Sequence, residues 1–502
     1  MRLPQPADPA AAQRLRERFA ALGAEWAAFA ERQAELLEAI GGNSPYLADL
    51  ALREPGALVG CVEKGAEAVA AAAFAQLEAV PPSASRAVVA AAMRRAKRVV
   101  ALAVAVADIT GAWRLAEVTA ALTRLAESAL RLATAHLLGV AGRAGELRWT
   151  AAGSGFAVLG MGKLGAGELN YSSDIDLILL YDPEAHPGLG AGLRQSFTRL
   201  ARGLATLMEA RDADGYVFRT DFRLRPDPAA TPPALSLPAA IAYYESMGQN
   251  WERAAMIKAR PVAGDVALGA QFLEAIRPFV WRRGLDFAAV ADIHAMKRRV
   301  DAHKGTALRD GAPVTRALGH DVKLGQGGIR EVEFLAQTLQ LVWGGRDPSL
   351  REPTTVGALR VLARVGRLGV RAAGELMAAY RFLRRVEHRL QMVADQQTHR
   401  LPGERRSSAR LRCSWGMRTA RPSHGRCCGT WSASSCVTGR CSRRCRRRPR
   451  RGSTLPAAMP RRPGRSSSCG RWGSRTPRPW WRRCAAGRRG GSGRCGRRGR
   501  GS

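Results

Sequence analysis

The chain has 502 residues, and its 79 lysines and arginines against 42 acids give a net charge of +37. Most of this charge lies in residues 403–502, which hold 29 arginines, no lysine and one acid, so that this tail carries +28 and residues 1–402 carry +9. The tail also holds nine of the ten cysteines and only three Leu, Ile, Val or Phe residues, too few for a hydrophobic core. The overall charge therefore does not indicate a nucleic-acid binder, and the two segments are considered separately.

Residues 1–402 also lack the marks of membrane and secreted proteins. The longest apolar run, residues 99–107, is far shorter than the roughly 18–20 residues of a membrane span. The first residues lack the apolar core of a signal peptide, and Cys61 alone cannot form a disulfide framework. We expect a cytoplasmic protein.

Residues 1–147 are predicted to form a helical region. Apolar side chains recur at helical spacing over residues 11–40, 85–109 and 113–138, and the first of these stretches ends at Gly41 and Gly42. The region is rich in alanine and contains no grouping of catalytic side chains, which indicates a scaffold or a docking bundle.

Residues 148–285 are predicted to form an α/β domain. Residues 156–160 are a short apolar run typical of a buried strand, and residues 174–181 predict a second strand. Residues 216–225 alternate, with aromatic and aliphatic side chains on one face and charged ones on the other, which predicts a third strand that ends at Pro226.

The helical pattern returns in residues 286–402, most clearly over 287–302, 329–343 and 369–393. A glycine turn at residues 323–328 precedes the second of these helices. It is either a helix N-terminus with capping charges or a loop that faces a substrate or nucleotide. The predicted fold class is thus α+β, with an α/β domain flanked by two helical bundles and followed by a disordered tail.

Asp174 and Asp176 are two residues apart on a predicted strand, so their carboxylates point to the same face. Two like charges this close raise each other's pKa unless a positive group lies between them. A hard divalent cation such as Mg²⁺, which takes oxygen ligands and keeps waters for substrate phosphates, is the simplest partner.

The turn before these acids is rich in glycine, which lets its backbone N–H groups approach phosphate oxygens. Gly162, Lys163 and Ser173 are the candidate phosphate contacts. Asp221 is the candidate third carboxylate, on a polar strand face beside Arg219 and Arg223. An ordinary solvated face with an Arg–Asp pair explains Asp221 equally well.

Eleven residues separate Gly162 from Asp174, and this pattern resembles the polymerase β-like nucleotidyltransferase superfamily. Four segments in this order are similar to the glutamine synthetase adenylyltransferase family: GMGKLGAGELNYSSDIDL, VFRTDFRLRPDP, NWERAAMIKARPVAGD and KLGQGGIREVEF. The wording ELNYSSDIDL resembles the N-terminal, adenylyl-removing half of that family. One departure is Ala166, where family members often have a second glycine.

The resemblance implies a reaction and a set of residues. Asp174, Asp176 and Asp221 would hold two Mg²⁺ ions, and phosphate would attack the AMP joined to a tyrosine of glutamine synthetase, giving ADP and free tyrosine. Gly162, Lys163 and Ser173 would contact phosphate oxygens, with Arg219 and Arg223 as further candidates. A PII-type nitrogen signal protein is the implied regulatory partner, and ATP and ADP are the implied nucleotides.

Three alternatives stay open from the sequence. The first is transfer of AMP from ATP to the same tyrosine, and the second is a nucleotidyltransferase that modifies nucleic acid. The third is a binding module without catalysis, which the presence of all three acids argues against. The charge of only +9 in residues 1–402 disfavours a nucleic-acid substrate.

The tail has the composition that GC-rich coding sequence gives in a wrong reading frame. Its cysteine spacings match no zinc finger, and an arginine-rich arm for RNA is the other interpretation. We interpret the tail as the product of a frameshift near residues 403–410, with the adenylylating half lost from this chain.

Overall fold

The structure, a computed structural model, describes residues 3–147, 153–284 and 318–403. These residues all belong to one compact unit, Met1–Cys445. The predicted helix over residues 287–302 and the tail beyond residue 403 lie outside the described residues.

The N-terminal region is helical, as the sequence predicted, and two of its helices begin at clear capping signals. Asp8 and Ser44 accept hydrogen bonds from backbone N–H groups of the first turns, and a proline follows each of them. The helices are α1 (Pro9–Ala20), α2 (Ala24–Arg32), α3 (Ala34–Gly41), α4 (Pro45–Arg53), α5 (Pro55–Glu63), α6 (Ala66–Glu78), α7 (Arg86–Thr110) and α8 (Leu115–Arg143).

The helical pattern over residues 11–40 is divided among α1, α2 and α3. The breaks lie at Gly23 and Gln33, whose backbone angles are not helical. The other two predicted helices are confirmed as α7 and α8. Every residue of α7 from Val100 to Asp108 is buried, so the apolar run noted in the sequence lies within the protein core.

A mixed sheet follows. Its strands are β1 (Phe156–Gly160), β2 (Ile175–Tyr181), β3 (Thr220–Asp221), β4 (Ala234–Ser236) and β5 (Arg260–Gly264). The order is β3–β2–β1–β5; β1 is antiparallel to β2 and β5, whereas β3 and β4 both pair with β2 in parallel. The strands predicted over 156–160 and 174–181 are confirmed, whereas β4 and β5 were not predicted.

The predicted strand over residues 216–225 was largely wrong, because only Thr220 and Asp221 are in a strand. The N–H groups of residues 217 and 218 donate instead to the carbonyl oxygen of Met208, and side chains bind the backbone from Thr220 onward. Glu209 accepts from the backbone N–H of Thr220, and the carboxylate of Asp221 accepts from the N–H of Arg223, which turns the chain away.

Both faces of the sheet are covered. Val158, Leu177 and Leu179 belong to the core formed with the N-terminal helices, and Ile178 and Leu180 belong to a second core on the other face. The helices of this region are α9 (Gly162–Gly165), α10 (Leu193–Glu209), α11 (Leu237–Ser246), α12 (Asn250–Met256), α13 (Val266–Ala275) and α14 (Arg277–Val280).

The described C-terminal region forms α15 (Ile329–Trp343), α16 (Thr355–Arg364) and α17 (Val370–Met392) around a third core. The helices predicted over 329–343 and 369–393 are confirmed, and the α+β fold class with helical regions on both sides is confirmed with them. In the described ranges, no helix is long and apolar enough to cross a membrane. The boundaries 1–147, 148–285 and 286–402 stay predictions.

Candidate active site

The three predicted acids lie at one edge of the sheet. Asp176 of β2 and Asp221 of β3 are Cα partners on neighbouring parallel strands, and Asp174 precedes Asp176 by two residues. We call Asp174, Asp176 and Asp221 the acidic strand edge. The sequence could place the first two acids together because they share a strand, but only the sheet pairing brings Asp221 beside them.

The glycine turn closes over this edge. Gly162 has φ +53°, and a Cβ atom there would lie 3.0 Å from Oδ2 of Asp176, so the backbone approaches the carboxylate as only glycine allows. The next residue of the turn with a left-handed backbone conformation is Gly167, whereas Ala166 has φ −74°. The departure from the family pattern at Ala166 therefore causes no backbone strain.

The acidic strand edge carries an excess of negative charge around Asp176. Burial and then the neighbouring Asp221 raise the pKa of Asp176 to about 6, and Asp174 adds to the effect. Lys323 and Arg223 act in the opposite direction. The Asp176 carboxyl therefore loses its proton only as the pH rises through about 6, and additional positive charge would favour its ionised form.

Arginines hold the other two acids. Nε of Arg219 donates to Oδ1 of Asp174 at 2.6 Å, and the same guanidinium donates to the hydroxyls of Tyr216 and Ser172. Nε of Arg223 donates to Oδ2 of Asp221 at 2.8 Å. Burial alone would raise the pKa of Asp221, but the hydrogen bonds from Arg223 lower it. The Arg–Asp pair that the sequence left as an alternative is thus present.

These residues fit a divalent cation in their chemistry, since carboxylate oxygens are what Mg²⁺ prefers. Asp176 makes no ion pair with any residue in the described ranges, and the arginines on Asp174 and Asp221 would have to give way. Among the residues that the structure describes, no three His, Cys, Asp or Glu side chains are already arranged to hold a metal. The roles of the three acids as metal ligands stay predictions.

The other predicted phosphate contacts lie in different surroundings. Ser173 lies next to Asp174 and donates its hydroxyl to that residue's carbonyl oxygen at 2.9 Å. Nζ of Lys163 instead lies 3.1 Å from Oε2 of Glu387 in α17 and 3.1 Å from Oδ1 of Asn170. Burial lowers the pKa of Lys163 to about 7.

Lys163 belongs to a group of charges that the sequence did not predict. Arg384 and Glu387 of α17 are fully buried; Arg384 donates to the carbonyl oxygen of Glu168, and Lys258 lies 3.6 Å from both Glu168 and Glu333. We call it the buried ion network: Lys163, Glu168, Lys258, Glu333, Arg384 and Glu387. Several of its members lie in the quoted motifs, but only their burial among C-terminal helices shows what they contact.

The charges of this network compensate one another. Burial alone would raise the pKa of Glu387, but Lys163, the ring of His399 3.1 Å away and Arg384 hold it well below its ordinary value. The network joins the segment after the glycine turn to α15 and α17.

Two family profiles match the chain. Residues 34–275 match glutamate-ammonia ligase adenylyltransferase, and residues 294–427 match PII-uridylyltransferase. The second match extends past the predicted junction near residues 403–410, and the frameshift stays a prediction.

Curated relatives agree with the first profile. A bifunctional glutamine synthetase adenylyltransferase/adenylyl-removing enzyme of Xanthobacter autotrophicus is 51% identical over 369 residues, 72% of this chain and 37% of the relative. The protein of the same name from Rhodopseudomonas palustris (strain BisB5) is 47% identical over 374 residues, and that from Rhizobium meliloti is 52% identical over 316 residues. These matches cover 37% and 31% of the two relatives and 73% and 62% of this chain.

A glycine turn over paired strand acids on a mixed sheet, together with these matches, defines a nucleotidyltransferase. The chain belongs to the glutamate-ammonia ligase adenylyltransferase family. It spans little more than a third of the length of the curated relatives it matches.

Proposed function

We propose that the chain removes AMP from the adenylylated tyrosine of glutamine synthetase by phosphorolysis. An oxygen of inorganic phosphate would form a bond to the phosphorus of AMP while the bond from phosphorus to the tyrosine oxygen breaks. The products are ADP and the free tyrosine, which recovers a proton. The names of the relatives, which include adenylyl removal, support this reaction and its substrate.

The observation that carries the proposal is the pairing of Asp176 with Asp221 beneath Gly162. The strand register puts two carboxylates side by side, and the glycine lets the backbone of the turn lie close against one of them. Burial and the neighbouring acids Asp221 and Asp174 raise the pKa of Asp176, as expected where a cation-bound substrate is received.

Different side chains of the site would bind the metal ion and the phosphate. Asp174, Asp176 and Asp221 would hold Mg²⁺, which when bound stabilises negative charge on phosphoryl oxygens. Arg219 and Arg223 would contact phosphate oxygens once a cation takes their places on Asp174 and Asp221. The N–H of Gly162 and the hydroxyl of Ser173 would orient the phosphate. Lys163 could do so only by leaving Glu387.

Transfer of AMP from ATP to glutamine synthetase is the second candidate. The names of the relatives contain both activities, so they do not assign a direction to this part of the protein. The wording of the segment at residues 168–177 is what favours removal.

A PII-type signal protein is the proposed regulatory partner. The support is the match of residues 294–427 to a profile named for PII uridylyl transfer. Titration of the full chain with a PII protein in a calorimeter would test this, and absence of binding with and without ATP would contradict it.

The main test uses the full chain with adenylylated glutamine synthetase, phosphate and Mg²⁺, and measures ADP. We expect ADP from the wild type and at least a hundredfold less from Asp176→Asn. Asp49→Asn is the matched control, because Asp49 pairs with Arg53 on the surface of α4. AMP transfer from ATP without ADP release would favour the second candidate, and a folded protein with neither activity would contradict both.

A further inference from the structure

The two arginines at the acidic strand edge differ in how they are held. Among the residues that the structure describes, the guanidinium of Arg223 contacts only Asp221, and its side chain is exposed. Arg219 is half-buried, and it contacts two further side chains besides Asp174. If both acids turned to a cation, Arg223 would lose its anchor, whereas Arg219 would keep two.

The two further partners of Arg219 are neutral hydroxyl groups on buried residues. Nη1 donates to Oη of Tyr216 at 2.7 Å, and Nη2 donates to Oγ of Ser172 at 3.3 Å. A guanidinium carries five N–H donors in one plane, and within the described ranges Asp174, Tyr216 and Ser172 take one each. Two N–H groups are therefore left for the oxygens of a phosphate, which a planar guanidinium binds well.

Tyr216, the nearer of these two partners, is itself fixed in place by its surroundings. The guanidinium of Arg211 lies 4.5 Å from the centroid of the Tyr216 ring, and Nζ of Lys97 lies 5.9 Å from it, both within the range of cation–π contacts. The next two residues, Val217 and Phe218, are buried in the core formed with the N-terminal helices. The hydroxyl of Tyr216 is thus a rigid acceptor for Arg219.

The turn before Tyr216 is held by α7 of the N-terminal region. Nη2 of Arg94 donates to the carbonyl oxygen of Ala210 at 2.9 Å, and Nη1 of Arg98 donates to the carbonyl oxygen of Asp214 at 3.0 Å. Each of these arginines also pairs with a carboxylate of the turn. The N-terminal region, which the sequence indicated as a scaffold, therefore fixes the segment that leads into the site.

We propose that Tyr216 is a positioning residue, whose hydroxyl holds the guanidinium of Arg219 at the acidic strand edge so that it binds phosphate oxygens. The inference rests on the proposed function for the identity of the substrate. It assigns the larger part of the phosphate contact to Arg219 rather than to Arg223. It also gives α7 a part in the site, through the turn at residues 210–215.

The first measurement is phosphorolysis by the full chain at increasing phosphate, with Mg²⁺ and saturating adenylylated glutamine synthetase. Tyr216→Phe removes only the hydroxyl, and loss of one charge-assisted hydrogen bond should raise KM for phosphate about tenfold while kcat changes less than twofold. Urea unfolding checks that the variant is folded. An unchanged KM for phosphate in folded Tyr216→Phe would overturn the inference.

A double-mutant cycle shows whether Tyr216 acts through Arg219. In the background of Arg219→Gln, Tyr216→Phe should change KM for phosphate less than twofold, because the guanidinium that the hydroxyl holds is then absent. A tenfold increase in both backgrounds would show a role that does not pass through Arg219, and the inference would be wrong. Tyr243→Phe is the matched control: its hydroxyl contacts Glu252 of α12 at 3.3 Å, and KM for phosphate should not change.

Calorimetric titration of the full chain with ADP and Mg²⁺, which needs no turnover, separates failure of the inference from failure of the proposed function. ADP binding that is about tenfold weaker in Tyr216→Phe, in a protein without phosphorolysis, would refute only the proposed reaction. Phosphorolysis with a wild-type KM for phosphate in Tyr216→Phe would refute only the inference. Absence of ADP binding by the wild type would refute both.

Discussion

The acidic strand edge and the buried ion network are both clusters of charged side chains, and residues 163–176 contribute members to both. In the network, the side chains of Arg384 and Glu387 are completely buried and in contact with each other. At the strand edge, the side chain of Arg223 is 82% exposed and that of Asp174 is 28% exposed. The centre of the network is closed to water, whereas the strand edge is open to water at Asp174 and at the arginine that pairs with Asp221.

The difference separates charges that hold the structure from charges that can bind a ligand. Charges removed from water are tolerated only when opposite charges and hydrogen bonds surround them, which the network provides. At the strand edge Asp176 is buried and faces other acids, which raises its pKa. Its ionised form is therefore unfavourable in the unliganded protein. Such arrangements are typical of binding sites.

The largest effect should follow from removing one charge of the network. Glu387→Gln leaves Lys163 and Arg384 without their buried carboxylate, and we expect the free energy of unfolding to fall by roughly 3–5 kcal/mol at pH 7. Urea unfolding of the full chain measures this. Because the folded-state pKa of Glu387 is depressed, its stabilisation is present above about pH 4.5 and is lost as the pH falls further. The difference between wild type and variant should therefore shrink in acid.

A control for this prediction lies on the same helix. Glu375 of α17 pairs with Arg371, whose side chain is 93% exposed, and Glu375→Gln should change stability by less than about 0.5 kcal/mol. If Glu375→Gln and Glu387→Gln lowered the free energy of unfolding equally, the distinction between exposed charges and charges of the buried ion network would be refuted. Adding Lys163→Met to Glu387→Gln should recover part of the loss, since the buried amine that has lost its carboxylate is then gone.

The second prediction is that removing a charge from the acidic strand edge stabilises the protein, whereas removing one from the network destabilises it. The folded-state pKa of Asp176 is about 6, above its ordinary value of 3.8, so ionisation of Asp176 destabilises the fold as the pH rises from about 4 to 6. Asp176→Asn should stabilise the protein by about 2 kcal/mol at pH 8 and should have little effect at pH 4. Thermal unfolding at both pH values measures this.

Magnesium sharpens the second prediction. Addition of Mg²⁺ should raise the unfolding midpoint of the wild type at pH 8 and leave that of Asp176→Asn nearly unchanged, because a bound cation stabilises only the state that binds it. Asp49→Asn, on the surface of α4, should behave as the wild type does. A stabilisation of Asp176→Asn that is the same at pH 4 and pH 8 would contradict the assigned pKa.

The two clusters also differ in how far the sequence predicted them. Asp174, Asp176 and the glycine turn could be found because their relation is local: a strand alternates, and a turn of glycines precedes it. The Asp221 pairing depends on a strand of two residues whose neighbours are held by side chains, so the alternating pattern overestimated its length. Arg384 and Glu387 look like ordinary charged helix positions until three-dimensional packing buries them.

A neutral hydrogen bond between the N-terminal helices and α17 should contribute less to stability than the charges of the buried ion network. The hydroxyl of Ser44 caps α4 and donates to the carbonyl oxygen of Met392 at the end of α17, at 2.7 Å. Ser44→Ala should lower the free energy of unfolding by about 1–2 kcal/mol, the combined effect of one cap and one buried hydrogen bond. Urea unfolding beside Ser85→Ala, an exposed cap of α7, separates the two contributions. A loss as large as that of Glu387→Gln would refute the ranking.

The smallest change in stability is expected from Arg223→Ala, although this residue holds an acid of the site. Arg223 lies almost wholly in water, where an ion pair contributes less than about 0.5 kcal/mol, so the urea midpoint should barely move. Its removal frees Asp221, and affinity for Mn²⁺, measured by electron paramagnetic resonance, should rise severalfold. A large loss of stability would show that the strand edge is structural, as the buried ion network is. Unchanged stability with stronger Mn²⁺ binding would show that Arg223 and a cation compete for the same carboxylate.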